Sequence, residues 1–404
     1  MSSEKRKLIN NIIPFLNHTE NYIAYATLLL MAIFPFLNVI AVKFFKTGIS
    51  GSTDYTHYLV LIVTFVGGMI TSREGQHLSL ALNFKIEEPL KTNIKIVVAF
   101  FASMVVSAFF WSSVSFVLTA FDETQKIGVI SERLLAFAMV IGYAVMAVRF
   151  IMVVPKGGIK RWIASTGLIA GSLVAMGSIA KIAALMADKD IDQYMGLIQF
   201  SESLNAAIAV PIILILIVLS IFELPIFVML GGIAYFFFAN IREPLEIISA
   251  TSHEMLTETH ALAALPLFTL TGFILSESKA SERLVKLFKE FFSWIPGGMA
   301  IMAIVVSSFF TTFTGASGVT ILALGALLYT VLQKSKYKEK FNVGLLTASG
   351  SVGLLFPPSL PIIMYGIIAG VSIKKMFLGG IIPGIVMVLV LILYGIYYSK
   401  RHDI

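Results

Sequence analysis

Long runs of apolar residues recur along the whole length of this 404-residue chain. Many of them reach the roughly 20 residues that an α-helix needs to cross the hydrocarbon core of a bilayer. Backbone amides and carbonyls find no water there, so a crossing segment must satisfy its own hydrogen bonds. With 57% hydrophobic and 13% charged residues, the chain differs from soluble globular domains. The sequence predicts an all-α polytopic membrane protein rather than a β-barrel, whose strands would be short and alternating.

Eleven apolar segments are predicted to enter the bilayer. They are residues 22–43, 57–71, 95–119, 134–154, 164–186, 206–221, 224–239, 261–276, 297–332, 341–371 and 376–398. The first follows the basic N-terminus by about fifteen residues and precedes no small-residue cleavage site, so we expect a retained span rather than a signal peptide. Alternating the loops places twenty Lys and Arg on the side of the N-terminus and nine on the other. That bias predicts that both termini are cytoplasmic.

Two neighbouring segments carry interruptions where an apolar helix should be continuous. Residues 297–332 hold the small, polar stretch TGASG between two apolar arms of about fifteen residues, each short for a ~30 Å core. Residues 341–371 contain SGSVGLLFPPSLP, and proline removes a backbone donor and breaks a helix. We predict a re-entrant hairpin followed by a broken helix, whose exposed backbone can line an ion or substrate site. The alternative is a proline kink beside ordinary small-residue packing.

Other local signals are weaker. The stretch ESKASERLVKLFKEFFSWIPGG predicts an amphipathic helix at the membrane interface, with Trp294 as its anchor. In HEMLTETH the histidines are seven residues apart, not four as in a zinc-protease helix. We therefore predict no metal site there and expect His253 and His260 in a periplasmic loop. Arg149 lies near the inner end of its span, where it can extend toward water.

Several function classes are disfavoured. The net charge of +7 is explained by basic loops, and we expect no nucleic-acid partner. There is no cysteine, so thiol chemistry and disulfides are absent. No phosphate-binding loop appears, which disfavours ATP hydrolysis within this chain. A membrane-embedded enzyme would need clustered intramembrane acids or histidines, and the sequence does not offer them.

A family resemblance rests on four stretches that follow one another in the second half. They are LAALPLFTLTGFIL at 262–275, FFTTFTGASGVTILALGALL at 309–328, LLTASGSVGLLFPPSLPIIMYG at 345–366 and MFLGGIIPGI at 376–385. Together they resemble the large membrane subunit of tripartite ATP-independent periplasmic (TRAP) transporters. The first part of the chain, with TSREGQHLSLAL at 71–82 and ERLLAFAMVIGYAVMAVRF at 132–150, resembles the small four-helix subunit of the same system.

The resemblance implies a fusion of the two subunits. Residues 1–161 would form a four-span, small-subunit-like domain, and 162–203 a linker span with a periplasmic connection. Residues 204–404 would form one repeat of an elevator-type transporter, with hairpin 297–332 and broken helix 341–371. The family's large subunit has two inverted repeats, and only one hairpin and one Pro-Pro segment are found here. We therefore expect a separately encoded second half, or else a truncated, non-transporting fragment.

By resemblance, the chain would be a component of a sodium-coupled importer in the bacterial inner membrane. Its substrates would be organic acids, such as C4-dicarboxylates or sialic-acid-like carboxylates, delivered by a periplasmic binding protein. No cofactor other than the coupling Na⁺ and no enzymatic activity are implied. The alternative is another ion-coupled organic-anion carrier with hairpins.

The sodium site implied by the resemblance lies between the hairpin tip and the broken helix. The candidates are Thr314, Gly315, Ser317, Gly318, Ser349, Gly350, Gly353 and Pro357. Their hydroxyl and carbonyl oxygens suit a hard monovalent cation without a carboxylate. Ser351 and Ser359 are weaker candidates for facing the substrate.

Overall fold

The structure is a computed structural model. It describes residues 3–80, 87–122, 124–128, 130–155, 158–315 and 317–404, and within them not the side chains of residues 3–13, 260, 276, 280 and 281. The chain divides into two compact units, Met1–Glu258 and Thr259–Ile404. The domain boundaries drawn above from sequence resemblance stay predictions.

The described part of the first unit has nine α-helices and one small β-hairpin. They are α1 Ser3–Phe45, α2 Ser52–Glu74, α3 Leu90–Ala120, β1 Lys126–Ile127, β2 Ile130–Ser131, α4 Glu132–Met152, α5 Gly158–Val174, α6 Met176–Met186, α7 Met195–Ser220, α8 Ile226–Asn240 and α9 Glu246–Glu258. The two strands pair antiparallel, with Ile127 opposite Ile130.

The described part of the second unit has seven α-helices. They are α10 Ala264–Glu277, α11 Lys279–Phe292, α12 Gly298–Thr314, α13 Ser317–Lys334, α14 Glu339–Val352, α15 Leu360–Ile368 and α16 Ile373–Arg401. A 3-10 turn, Gly353–Leu355, follows α14 directly.

Length and composition confirm an all-α polytopic membrane protein. Seven of the described helices are long and apolar enough to cross a membrane, and the number reaches ten if each of three bent helix pairs is one span. One bent pair is α14 with α15, at 43°, so the broken helix is confirmed. The span predicted at 164–186 is not straight, because α5 and α6 meet at 64°. The arms α12 and α13 have 17 and 18 residues. Re-entry of this hairpin stays a prediction.

Helix α3 is the central helix of the first unit. Its apolar side chains, among them Val105, Val106 and Phe109, are almost fully buried in the core. Phe109 lies against Tyr143 of α4 and Tyr235 of α8. Since α3 contacts α4, α5, α6, α8 and α9, it has little surface left for lipid, and its burial organises the unit.

A seam of small and polar residues joins α3 to α5. Ser103, Ser107 and Trp111, one turn apart on α3, each donate a hydrogen bond to α5. The acceptors are Ala164 O, Leu168 O and Ser172 Oγ, at 3.3, 3.2 and 2.9 Å. Gly167 and Gly171 face the carbonyls of α3, and a Cβ atom at either would collide with them. Glycines four residues apart let two membrane helices approach closely, so this seam fixes α5 on α3.

Helix α9 is held by its first residue. Glu246 Oε2 accepts from Lys181 Nζ of α6 at 2.8 Å, and Oε1 accepts from Ser178 of α6 at 2.8 Å and Ser115 of α3 at 3.0 Å.

The prediction that His253 lies in a loop is wrong. It is on α9 and 8% exposed, because Tyr58, Phe116 and Phe121 surround its ring. The side chain of His260 lies outside the described residues.

The core of the second unit forms around the hairpin. On α12, Met302, Ile304 and Phe310 are fully buried. On α13, the buried side chains Leu324, Leu328 and Leu332 repeat every fourth residue, so one stripe of that helix packs inward. Helices α14 and α16 also pack on α12. The hairpin and the broken helix therefore share one core.

Candidate ion site

The hairpin tip turns at a glycine. Helix α12 ends at Thr314, and Gly315 follows with φ +65°, a left-handed conformation that glycine adopts without a steric penalty. The side chain of Leu360, at the start of α15, occupies the space where a Cβ atom of Gly315 would lie. Ala316 lies outside the described residues. The hairpin tip is thus packed against the start of α15, the helix that follows the break.

The break follows from local sequence. Helix α14 ends at Val352, the 3-10 turn follows, and Ser359 then caps α15, its Oγ accepting from the backbone N–H of Ile362 at 3.5 Å. Gly353 touches α12, since a Cβ atom there would collide with the carbonyl of Ser308 and lie 2.6 Å from Thr311 Cβ. The break therefore lies beside the last turns of α12.

Three buried threonines form a chain of hydroxyl groups at the hairpin. Thr320 Oγ1 on α13 lies 2.9 Å from Thr311 Oγ1 and 2.8 Å from Thr314 Oγ1, both on α12. Thr311 Oγ1 is also 2.8 Å from the carbonyl oxygen of Ser307. All three threonines are at most 1% exposed. This chain of hydroxyl groups links the two arms of the hairpin next to its tip.

A second polar link joins the hairpin to the broken helix. Ser308 Oγ on α12 donates to the carbonyl oxygen of Ser349 on α14 at 3.0 Å. Ser349 Oγ donates to the carbonyl of Leu345 at 2.8 Å within its own helix. Gly350 lies nearby, since a Cβ atom there would be 3.7 Å from Ser307 Oγ and 3.8 Å from Ser317 Cβ. Neutral oxygen atoms of both segments therefore lie close together.

The predicted site residues fall into two groups. Those brought to the contact between hairpin and break are Thr314, Gly315, Ser317, Ser349, Gly350 and Gly353. Gly318, Ser351 and Pro357 are exposed, and Ser351 Oγ donates to Thr347 of its own helix. Ser359 is fully buried as the cap of α15. The assignment of these ten residues to ions or substrate stays a prediction.

Sequence reasoning missed four polar residues of this contact: Ser307, Ser308, Thr311 and Thr320. A signal existed for two of them. Ser307, Thr311 and Thr314 are spaced four and three residues apart, which places them on one face of a helix. Thr320 carries no such signal, because its contact depends on how the two arms cross.

A buried ion network in the first unit was also missed. Glu20 of α1 bonds both Arg73 of α2 and Arg149 of α4, at 3.2 and 2.6 Å. Arg149 Nη1 also donates to the carbonyl of Met69 at 2.7 Å. The Glu20 side chain is 9% exposed and that of Arg149 is 14% exposed. Arg149 thus has a buried partner instead of extending toward water.

His77 follows α2 beside a cavity of about 350 Å³, which Lys95 and Glu223 also line. Its Nε2 atom lies 2.7 Å from Ser72 Oγ, and its Nδ1 atom 3.2 Å from Thr71 Oγ1. Burial lowers the pKa of His77 below the ordinary value, because a desolvated imidazolium is disfavoured.

Two family models match the chain. One is described as the DctM component of the tripartite ATP-independent periplasmic transporter and matches residues 207–404. The other is described as the DctQ component of the same transporters and matches residues 31–157. The matches do not overlap, and they leave α5, α6 and part of α7 between them.

Individual relatives agree with this. The isethionate TRAP transporter permease protein DctMQ of Oleidesulfovibrio alaskensis is 34% identical over 36% of this chain and 23% of its own length. The C4-dicarboxylate TRAP transporter large permease protein DctM of Vibrio cholerae is 29% identical over 48% of this chain and 43% of its own. The ectoine TRAP transporter large permease protein TeaC of Halomonas elongata is 31% identical over 34% of this chain and 33% of its own. The chain spans less than half the length of each.

The fold is that of a polytopic helical membrane protein in which a helical hairpin packs on a broken helix. The chain belongs to the tripartite ATP-independent periplasmic transporter family. It joins, in one polypeptide, regions that match the small and the large membrane components.

Proposed function

We propose that the chain acts as a permease component of a sodium-coupled importer of organic acids. The observation that carries this proposal is the polar contact between the hairpin and the broken helix, where the Thr311–Thr314–Thr320 hydroxyl chain lies beside the link from Ser308 to Ser349. The family supplies the transport role, and this contact supports the coupling ion.

The chemistry of the contact fits Na⁺. Its donors are neutral hydroxyl and carbonyl oxygens, the kind that interrupted transporter helices offer to Na⁺. Helix α12 ends at Thr314 and α14 ends at Val352. The C-terminal end of a helix carries about half a negative charge, so both ends favour a cation. The residues that would hold the ion are Thr311, Thr314, Thr320 and Ser349, with backbone carbonyls of Gly353 and its neighbours.

The substrate would be a small organic acid that carries an anionic group. The relatives are named for isethionate, C4-dicarboxylates and ectoine, which all carry a sulfonate or carboxylate group. We place such a group at the N-terminal end of α15, capped by Ser359, because its backbone N–H groups are the positive end of a helix dipole and it adjoins the break. A periplasmic binding protein would deliver the anion, and the part of the large component that the relatives have in addition would complete the site.

A sodium-binding experiment tests the proposal without a known substrate. The melting temperature of the purified chain in detergent is measured over a series of NaCl concentrations, with KCl holding the ionic strength constant. A ligand that binds the folded state stabilises it by about 2.7 kcal/mol at a hundred times its Kd. We expect stabilisation by Na⁺ and none by K⁺, and equal melting in both salts would overturn the sodium site.

A matched pair of variants locates the effect. Thr320→Val removes a hydroxyl from the buried chain and should abolish the sodium response. Thr330→Val removes an exposed hydroxyl from the same helix, one that donates to Ala326 O, and should leave the response intact. Uptake of labelled isethionate, dicarboxylates and ectoine into cells that carry the whole gene region then tests import. Import that needs no binding protein would favour the alternative, another type of ion-coupled carrier.

A further inference from the structure

Helix α11 has two different apolar faces. One packs inward, where Val285 is 4% exposed and Leu284, Phe288 and Phe292 lie against the core. The other faces outward. Leu287 and Phe291 are 64% and 66% exposed, and their spacing of four residues places them on one stripe. Trp294, two residues past the end of α11, is 79% exposed. Large apolar side chains in such a stripe mark a surface that meets lipid or another protein.

Two cationic residues extend the outward stripe toward the N-terminal end of α11. Lys279 and Arg283 precede Leu287 and Phe291 in one row of residues four apart, so a single ridge of the helix is basic at its start and apolar at its end. Both cations are exposed. In the part of the chain that the structure describes, neither forms an ion pair. Their charge is thus available to an anion outside the chain.

A notch lies at the basic start of this ridge. It has a volume of about 610 Å³ and is lined by Ser278, Lys279, Arg283, Leu284 and Leu287. Two cations and two leucines therefore border one surface depression. A ligand that fits it carries a negative charge at one end and an aliphatic chain at the other.

We propose that this notch binds an anionic phospholipid. The headgroup phosphate would lie between Lys279 and Arg283, and an acyl chain would lie along Leu284 and Leu287 toward Phe291. Charge complementarity selects an anionic lipid over phosphatidylcholine, whose own quaternary ammonium would meet the two cations. A basic residue next to an anionic membrane surface strengthens attraction severalfold, and here the notch would concentrate that attraction on single lipid molecules.

Native mass spectrometry of the purified full chain tests the proposal. The chain is incubated with equal amounts of phosphatidylglycerol and phosphatidylcholine that have the same acyl chains, and retained lipid is counted. We expect phosphatidylglycerol to be retained preferentially. Lys279→Gln and Arg283→Gln should each weaken that retention about fivefold, and Leu287→Gln should weaken retention of both lipids. Equal retention of the two lipids by the unaltered chain would overturn the proposal.

Two controls separate a built site from general attraction. Lys336→Gln and Lys340→Gln, made singly, each remove one charge from an exposed position in the same unit, and each should leave phosphatidylglycerol retention unchanged. An equal loss with either variant would show that only net charge matters and would contradict the notch. Soluble glycerol phosphate in excess should not displace the lipid, and displacement would contradict the role of the two leucines.

Discussion

Arg149 donates from Nη2 to Glu20 Oε1 over 2.6 Å, although the two residues are 129 positions apart in the chain. The second carboxylate oxygen of Glu20 meets Arg73 at 3.2 Å. One buried acid thus compensates two cations from α2 and α4. A buried charge that loses its partner is strongly destabilising, more so than the pair is stabilising.

Glu20→Gln should therefore destabilise the protein, because it leaves both guanidinium groups without their shared counter-charge. We expect a loss of about 3 kcal/mol, measured as a fall in melting temperature in detergent. Glu74→Gln is the matched control. Glu74 also meets Arg73, at 3.3 Å, but its side chain is 46% exposed, so its removal should cost less than about 1 kcal/mol. Equal effects of the two changes would contradict the importance of burial.

Two glycines of the broken helix should respond differently to alanine. At Gly353 a Cβ atom would collide with the carbonyl of Ser308 and crowd Thr311, whereas at Gly350 its nearest neighbour would lie 3.7 Å away. Gly353→Ala should cost about 1–3 kcal/mol through overpacking and weaken the sodium response. Gly350→Ala should be neutral or slightly stabilising, since alanine favours a helix. Thermal melting with and without Na⁺ compares them, and an intact sodium response in Gly353→Ala would count against an ion at this contact.

The packing of α5 on α3 should be equally sensitive to replacement of a seam glycine by alanine. At Gly171 a Cβ atom would collide with the carbonyl of Met104 and lie 2.7 Å from Ser107 Cβ, while at Gly158, on the same helix, it would meet open space. We expect Gly171→Ala to lower the melting temperature by several degrees and Gly158→Ala to leave it within about a degree, because overpacking of 1–3 kcal/mol acts at the first position only. Proteolysis between α4 and α5 gives a second readout. If Gly171→Ala melts normally, the close packing of the seam is wrong.

His77 should make stability depend on pH. Its folded pKa is lowered by burial, so the unfolded chain takes up the proton first as the pH falls below about 6.5. Its contribution is complete above that pH and is lost progressively as the pH falls toward the folded pKa. The melting temperature should fall more between pH 7.5 and 5.5 in the unaltered protein than in His77→Gln. His18→Gln, a change at an exposed position, should keep the full pH dependence, and an unchanged dependence in His77→Gln would exclude His77 as its source.

The hairpin and the broken helix could be predicted because their causes are local. Proline and glycine act on the backbone turn that contains them. The turn at Gly315 and the helix break from Gly353 to Ser359 can therefore be predicted from a few residues of sequence. No proline marks the bend at Ala175. The Gly-Ser pairs at 171–172 and 177–178 flank it and are a local cause of helix kinks, but the prediction treated 164–186 as one span.

The side-chain partners could not be predicted, because they depend on which helices meet. Glu20 stands just before the first predicted span and has the sequence context of a loop acid. Its burial follows only from the packing of α1 on α2 and from its bond to Arg149 of α4. The same holds for His253, whose polar surroundings in sequence suggested a loop, and for Thr320, whose partners are on the opposite arm of the hairpin.

The α3–α5 seam has a consequence for dividing the polypeptide. The match to the small component ends at residue 157, yet α5 lies on α3 through the seam glycines and should not be separable from it. The exposed stretch 187–190, after α6, is the better place to sever the chain. A two-piece protein cut there keeps the seam within its first piece. The Lys181–Glu246 ion pair would then join the two polypeptides. Helices α5 and α6 would belong structurally to the N-terminal piece and would not serve as a linker between the two pieces.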